Sequence, residues 1–237
     1  MSGHSKWSTI KRAKGATDAK RSQLFTKLGM AIAVAARGGA DPGSNFKLRL
    51  AIDRAKAASL PKDNIDRAIK RGSGGEGGAQ LEEIVYEAYG PGGVAILIQA
   101  LTDNRNRTSS QVRHLLERHG GRLAEAGSVG WLFESRGVLQ TKLAGDHGEL
   151  ELALIEAGAI DIDEMGDELI ITCLPQDLER VKTELSRRNL PIDYANVEPV
   201  AKTTVKIEDK DMAARLHGLH EVLDADDDVT EVYDNQA

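Results

Sequence analysis

Residues 137–198 carry a pattern that few folds satisfy. Apolar alternation, helical spacing and glycine breaks predict a strand over 137–143, a helix over 148–157, strands over 159–164 and 168–174, a helix over 176–188 and a strand over 192–198. That β-α-β-β-α-β order is the split pattern of ferredoxin-like domains. The tail adds a strand over 203–208, a helix over 210–223 and a strand over 230–233, too few elements for a domain of their own. Pairing them with a sheet earlier in the chain makes 134–200 an insertion; packing 201–237 directly onto the 134–200 unit is the alternative.

The earlier sheet is expected within 81–133. Tyr86 to Tyr89, the turn Gly90-Pro91-Gly92-Gly93 and the run Val94 to Thr102 read as a hairpin whose second strand is apolar enough to be central. Asp103 to Thr108 leads into a helix with Val112, Leu115 and Leu116 inward, and Val129 to Phe133 reads as a further strand. Upstream, Leu24, Leu28, Ile32 and Ala35 mark an amphipathic helix from Ser22 that Gly38-Gly39 ends. A second helix turns Leu48, Ile52 and Ala55 to one side, and a third starts near Pro61 and stops at Gly72. The expected fold class is α+β, a basic arm (1–21) followed by three domains: a three-helix module (22–75), an α/β domain (81–133 plus 201–237) and an inserted ferredoxin-like acidic domain (134–200).

Charge divides along the same lines. The first 75 residues hold sixteen Lys+Arg against five Asp+Glu, a net of +11, whereas the other 162 hold fifteen against thirty-two, a net of −17. Residues 134–200 alone carry six bases and fifteen acids, net −9. A basic end joined to acidic domains fits one end meeting a polyanion, because only that end gains from releasing condensed counterions. Aromatics are only 4%, so contacts to nucleic acid should lean on Lys and Arg. The single Cys173 sits in an apolar run and reads as a buried small hydrophobe; it excludes an internal disulfide. The longest apolar stretches, Met30 to Ala36 and Val94 to Ile98, are far short of a membrane span, and no cleavable signal or presequence pattern is evident. A cytoplasmic protein without a membrane partner is expected.

The candidate nucleic-acid contacts are Lys6, Lys11, Arg12, Lys14, Lys20 and Arg21 as a phosphate grip, with His4 and Trp7 beside them for stacking on a base or ribose. Trp7 packed on the second domain is the structural alternative. Arg105 and Arg107 flank a helix N-terminus that could hold a phosphate, or Asn106 or Thr108 could cap that helix while Asp103 pairs with an arginine. Gly72-Ser73-Gly74-Gly75-Glu76-Gly77-Gly78 spells GxGxxG, but a helix precedes it and a strand follows, the reverse of a phosphate-binding context, so a linker is expected. Asp161 to Gly166 begins like a calcium loop but has Met165 at the fifth position and Thr172 at the twelfth, and suits a hairpin turn better. Asp226-Asp227-Asp228 reads as a solvated turn. His217 and His220 lack a third metal ligand, and no nucleophile elbow, Walker loop or zinc-protease motif occurs. No catalytic residue, metal or cofactor is expected.

Four blocks, Gly3-His4-Ser5-Lys6-Trp7, Leu60 to Gly72, Tyr86 to Gly93 and Thr102 to Thr108, resemble the YebC family, whose mitochondrial members are translational activators of cytochrome c oxidase subunit I. The resemblance runs from residue 2 to about residue 235. It implies a helical N-terminal domain, two α/β domains and no catalytic activity. His4, Lys6, Trp7, Lys11, Lys14, Arg105 and Arg107 match family blocks. Bacterial members are labelled probable transcriptional regulators that bind DNA, and others are described as ribosome-associated translation factors.

The expectation is therefore a non-enzymatic, monomeric, nucleic-acid-binding regulator of gene expression. A ribosome-associated translation factor gripping ribosomal RNA is favoured and a regulator binding promoter DNA is the alternative. A metal- or nucleotide-dependent enzyme is the remote one.

Overall fold

The structure, a computed structural model, describes residues 18–74, 82–142 and 147–237. Seven helices and two four-stranded sheets occur among them, an α+β architecture that opens with helices. The chain divides into two compact units, residues 1–133 with 201–237, and residues 134–200.

Helices α1 (Asp18–Ala36), α2 (Phe46–Ala57) and α3 (Lys62–Gly72) form a module around Leu28, Ile32, Leu48, Ile52, Ala55, Leu60, Ile65 and Ala68. The i, i+4 spacing of Leu24, Leu28, Ile32 and Ala36 lines one face of α1. Helix α1 begins earlier than expected: Ala19, Lys20 and Arg21 are good helix formers, so the last residues assigned to the arm are helical. Asn45 fastens the corner between α1 and α2. Its Oδ1 accepts from Leu48 N (3.1 Å) while its Nδ2 donates to Ala35 O (2.7 Å) and Gly39 O (2.8 Å), capping one helix start, one carbonyl in the last turn of the other helix and one just beyond it. Gly72 belongs to α3 itself. A Cβ there would lie 2.0 Å from Ala33 O, so glycine lets the backbones of α1 and α3 meet.

The first sheet runs β3-β1-β2-β8, with β1 (Glu82–Tyr89), β2 (Ala95–Thr102), β3 (Arg122–Leu123) and β8 (Val229–Asp234) all antiparallel to their neighbours. β2 is buried nearly throughout, as its unbroken apolar run predicts for a central strand. One face is covered by α4 (Arg105–Arg118) and α7 (Lys210–Asp224), through Val112, Leu116, Leu216, Leu219 and Leu223. The other packs Ala95, Leu97 and Tyr233 on Val129 and Phe133.

Two expected strands of this sheet are absent among the described residues. Residues 130–132 form a short 3-10 turn because the Glu87 carboxylate accepts from the backbone N–H of Gly127 (2.7 Å), Val129 (2.6 Å) and Gly130 (2.8 Å), donors a strand would have used in a ladder. The strand that does follow α4 is the two-residue β3. In place of a strand over 203–208 there is one bridge, Val205 to Gln236, because Ile207 turns aside to pack on the helix-covered core. Asn235 seals this corner, its Oδ1 accepting from Ala95 N (2.8 Å).

The second unit contains β4 (Phe133–Lys142), α5 (His147–Glu156), β5 (Ala159–Met165), β6 (Glu168–Cys173), α6 (Leu178–Arg187) and β7 (Ile192–Ala201). The order β5-β6-β4-β7 places the third strand of the unit between its first and second, the ferredoxin-like arrangement. Leu139, Leu154, Ile171, Leu178, Val181 and Leu185 are fully buried in it. Asp161 to Gly166 is the end of β5 and its turn, with Gly166 at φ 69 and Met165 opposite Glu168. Cys173 is buried opposite Gly137, and burial pushes its thiol up to about 11, an inert thiol.

Candidate nucleic-acid interface

Of the residues picked from the sequence, His4, Lys6, Trp7, Lys11, Arg12 and Lys14 lie outside the described residues. Lys20 is in α1, and Arg21 is exposed there with its guanidinium 5.7 Å over the Phe25 ring. The helical module adds exposed cations that sequence reasoning had not singled out as contacts: Arg37, Lys47, Lys56, Lys62, Lys70 and Arg71. Exposure separates them from bases with internal partners. Arg49 donates to Pro42 O (3.0 Å), Arg54 pairs with Glu231, and Lys27 Nζ donates to Asp224 O (2.6 Å) at the C-terminal end of α7. Burial lowers the Lys27 pKa, opposed by Asp224, Glu231, Asp226 and Asp227. Thus part of the positive charge fastens the module to the acidic end of α7, where carbonyls and carboxylates favour cations.

The turn between β2 and α4 keeps the ion pair of the capping reading, Asp103 with Arg107, but not its cap. Asn104, not Asn106 or Thr108, caps the helix, accepting from Arg107 N (3.1 Å). Arg107 Nη2 donates to Asp228 Oδ1 (3.1 Å) and Oδ2 (2.9 Å) and lies 3.0 Å from Asp103 Oδ1. The Thr108 hydroxyl lies 2.6 Å from Asp228 Oδ2, and Thr102 Oγ1 is 3.3 Å from the same oxygen. Asp228 is therefore no solvated turn residue. Burial pushes its pKa up, but the bonds from Thr108, Arg107 and Thr102 outweigh that and hold it below the usual carboxylate range. Arg107 is engaged with this cluster, whereas Arg105, two residues earlier, is exposed. No spacing rule in the sequence could join residue 107 to residue 228.

Among the described residues no group of three His, Cys, Asp or Glu side chains is arranged to hold a metal ion. His217 lies 3.8 Å from Glu221 within α7, and His220 Nε2 is 2.5 Å from Asp234 Oδ2. The two histidines thus face different carboxylates. Among the described residues no helix is long and apolar enough to cross a membrane.

Fold and charge together define a multidomain α+β protein in which a basic helical module leads into two antiparallel α/β sheets. The chain belongs to the TACO1/YebC family: the description "TACO1/YebC protein N-terminal domain" matches residues 5–75 and "TACO1/YebC second and third domain" matches residues 81–236. A protein of Desulforamulus reducens is 47% identical over 99% of this chain and 98% of its own length. One of Moorella thermoacetica is 49% identical over 99% of this chain and 95% of its own. Both carry the name "Probable transcriptional regulatory protein". The crystal structure of a conserved hypothetical protein of Aquifex aeolicus superposes with a TM-score of 0.86 at 42% identity, covering 94% of this chain and 93% of that one.

Proposed function

We propose that this chain is a non-enzymatic, nucleic-acid-binding regulator of gene expression that works on the ribosome, gripping folded RNA through its basic N-terminal part. The observation that carries the reading is the separation of charge: +11 within the first 75 residues and −17 in the rest, with Arg37, Lys47, Lys56, Lys62, Lys70 and Arg71 among the exposed cations of the helical module. Phosphate contacts favour the first part and repel the second, which leaves the acidic unit for protein or solvent.

A promoter-binding transcriptional regulator is the second reading, favoured by the names of the relatives. The helical module argues against it. Helix α3, the one a helix-turn-helix would lay in the major groove, exposes Asp63 and Asp66 beside Lys62, Lys70 and Arg71, and its Arg67 is tied to Asp63 O and Asn64 Oδ1. Acids on that face would meet phosphate at a cost.

Sedimentation of a lysate over a sucrose gradient at moderate salt, with and without nuclease, tests the choice. The protein is expected to travel with ribosomal particles, and the triple change K11E, R12E, K14E is expected to return it to the top. A protein that stays at the top yet shifts a defined promoter fragment in preference to random DNA would reverse the ranking.

A further inference from the structure

Trp131 is the largest exposed apolar side chain among the described residues, 65% accessible, and it is not a loose one. Its indole N–H donates to Ser128 O (3.1 Å), and the Tyr89 hydroxyl donates to the same oxygen (3.3 Å), so the two aromatic side chains converge on a single carbonyl. Arg122 is stacked over the Tyr89 ring, its guanidinium carbon 4.9 Å from the centroid. Lys202, exposed, donates to Trp131 O (2.7 Å), and the Lys202 N–H holds Leu132 O (2.8 Å). Beneath them the Glu87 carboxylate, spent on three backbone donors, fixes the loop from below. Burial raises the Glu87 pKa, but the N–H donors of Gly127, Val129, Gly130 and Ser128 prevail and keep it low.

A held, outward indole has already given up its rotamer freedom, so stacking on it costs little further ordering. Its single N–H is satisfied internally, which leaves the π-face for contact. The flanking groups are cations, Arg122 on one aromatic and Lys202 on the other's backbone, and the Glu87 carboxylate beneath is held by backbone donors. Flat π-surface beside positive charge suits an unpaired base whose phosphates lie alongside. We infer that Trp131, with Tyr89, Arg122 and Lys202, is a base-stacking platform for single-stranded RNA, separate in sequence from the basic arm. This rests on the RNA reading above and adds a second, non-ionic contact to it.

The test uses the full-length chain carrying W7F, because the sequence holds two tryptophans and Trp131 is then the sole emitter. A 12-nucleotide single-stranded RNA of mixed sequence with a fluorescent end label is titrated with each chain at several salt concentrations, the label's anisotropy giving the affinity of every variant and tryptophan emission reporting on Trp131 where it is kept. Quenching is expected, W131A should weaken binding about tenfold without changing the salt slope, W131F should lose less, and R122Q should reduce the slope. A W131A chain that has lost its folded circular-dichroism signal is replaced by W131F in the same comparison. Salt-sensitive RNA binding with no quenching, unaltered in W131A or W131F, overturns the platform and leaves the basic grip standing. Absence of RNA binding by the unsubstituted chain overturns both.

Discussion

The two sheets solve one problem in opposite ways. The sheet β5-β6-β4-β7 is made by one continuous stretch, and its ion pairs are mostly local: Glu184 with Arg187 and Arg188, Asp177 with Arg180, Glu179 with Lys182, each within one helical turn. Thr141 reaching Pro191 O (2.7 Å) is a longer tie there. The sheet β3-β1-β2-β8 is assembled from segments that the inserted unit separates. Its polar ties span the insertion: Thr108 to Asp228, 120 residues apart, and Ala95 to Asn235, 140 apart. A contiguous unit can rely on apolar layers and local turns. A discontinuous one must bring its last strand home over a long loop, and directional bonds at Asp228 and Asn235 specify where it lands.

The largest effect is expected where that difference is deepest. Asp228→Ala removes the acceptor shared by Arg107, Thr108 and Thr102 and leaves a buried hydroxyl behind, a loss of about 2–4 kcal/mol. Residue-resolved hydrogen exchange should show faster opening of β2 and β8 with β4 and β6 unchanged; equal acceleration in both sheets would break the comparison. A smaller loss, about 1–2 kcal/mol, is expected from Glu87→Gln, which trades a carboxylate accepting three N–H bonds for an amide.

The same groups set an acid limit. Asp228 and Glu87 have folded pKa values below their unfolded ones, so their stabilisation is complete above the unfolded carboxylate range, about pH 4, and is lost as pH falls through the lowered values. Denaturation followed from pH 6 downward should therefore show the wild type losing stability in that range, and Asp228→Ala and Glu87→Gln losing less. The smallest effect belongs to the contiguous unit. Glu184 is lowered from 4.5 to about 2 by its hydrogen bonds to Arg187 and Arg188, so its contribution fades only between those values, and Glu184→Gln should leave the unfolding midpoint at pH 7 almost unmoved.

The β-α-β-β-α-β order was legible because each element of the second unit is closed by local signals: period-two strands, helical spacing from Leu178 to Leu185, and Gly166 at the turn. The helical module was legible for the same reason, although Gly72 read as a mere stop when it marks the crossing of α1 and α3. Less was legible where a side chain reshapes the backbone from afar. Val129 to Phe133 has the composition of a strand, yet Glu87, some forty residues earlier, collects its N–H groups into a turn and leaves Trp131 outside. The acidic run at 226–228 looked like solvent-facing charge because its partners at 102, 107 and 108 are separated from it in the sequence by the inserted unit.

By itself, then, the sequence determined most of the element types, the fold class and the opposition of a basic start to an acidic remainder, all of which follow from periodicity and charge within a few turns of chain. Only the tertiary structure decided which charges are spent and which stay exposed. Arg107, Arg54 and Lys27 are engaged by carboxylates and carbonyls at residues 224–231, whereas Arg105, Lys56 and Lys70 lie exposed away from that cluster. That choice depends on which distant groups the folded core brings within hydrogen-bond distance, a quantity that local sequence does not encode.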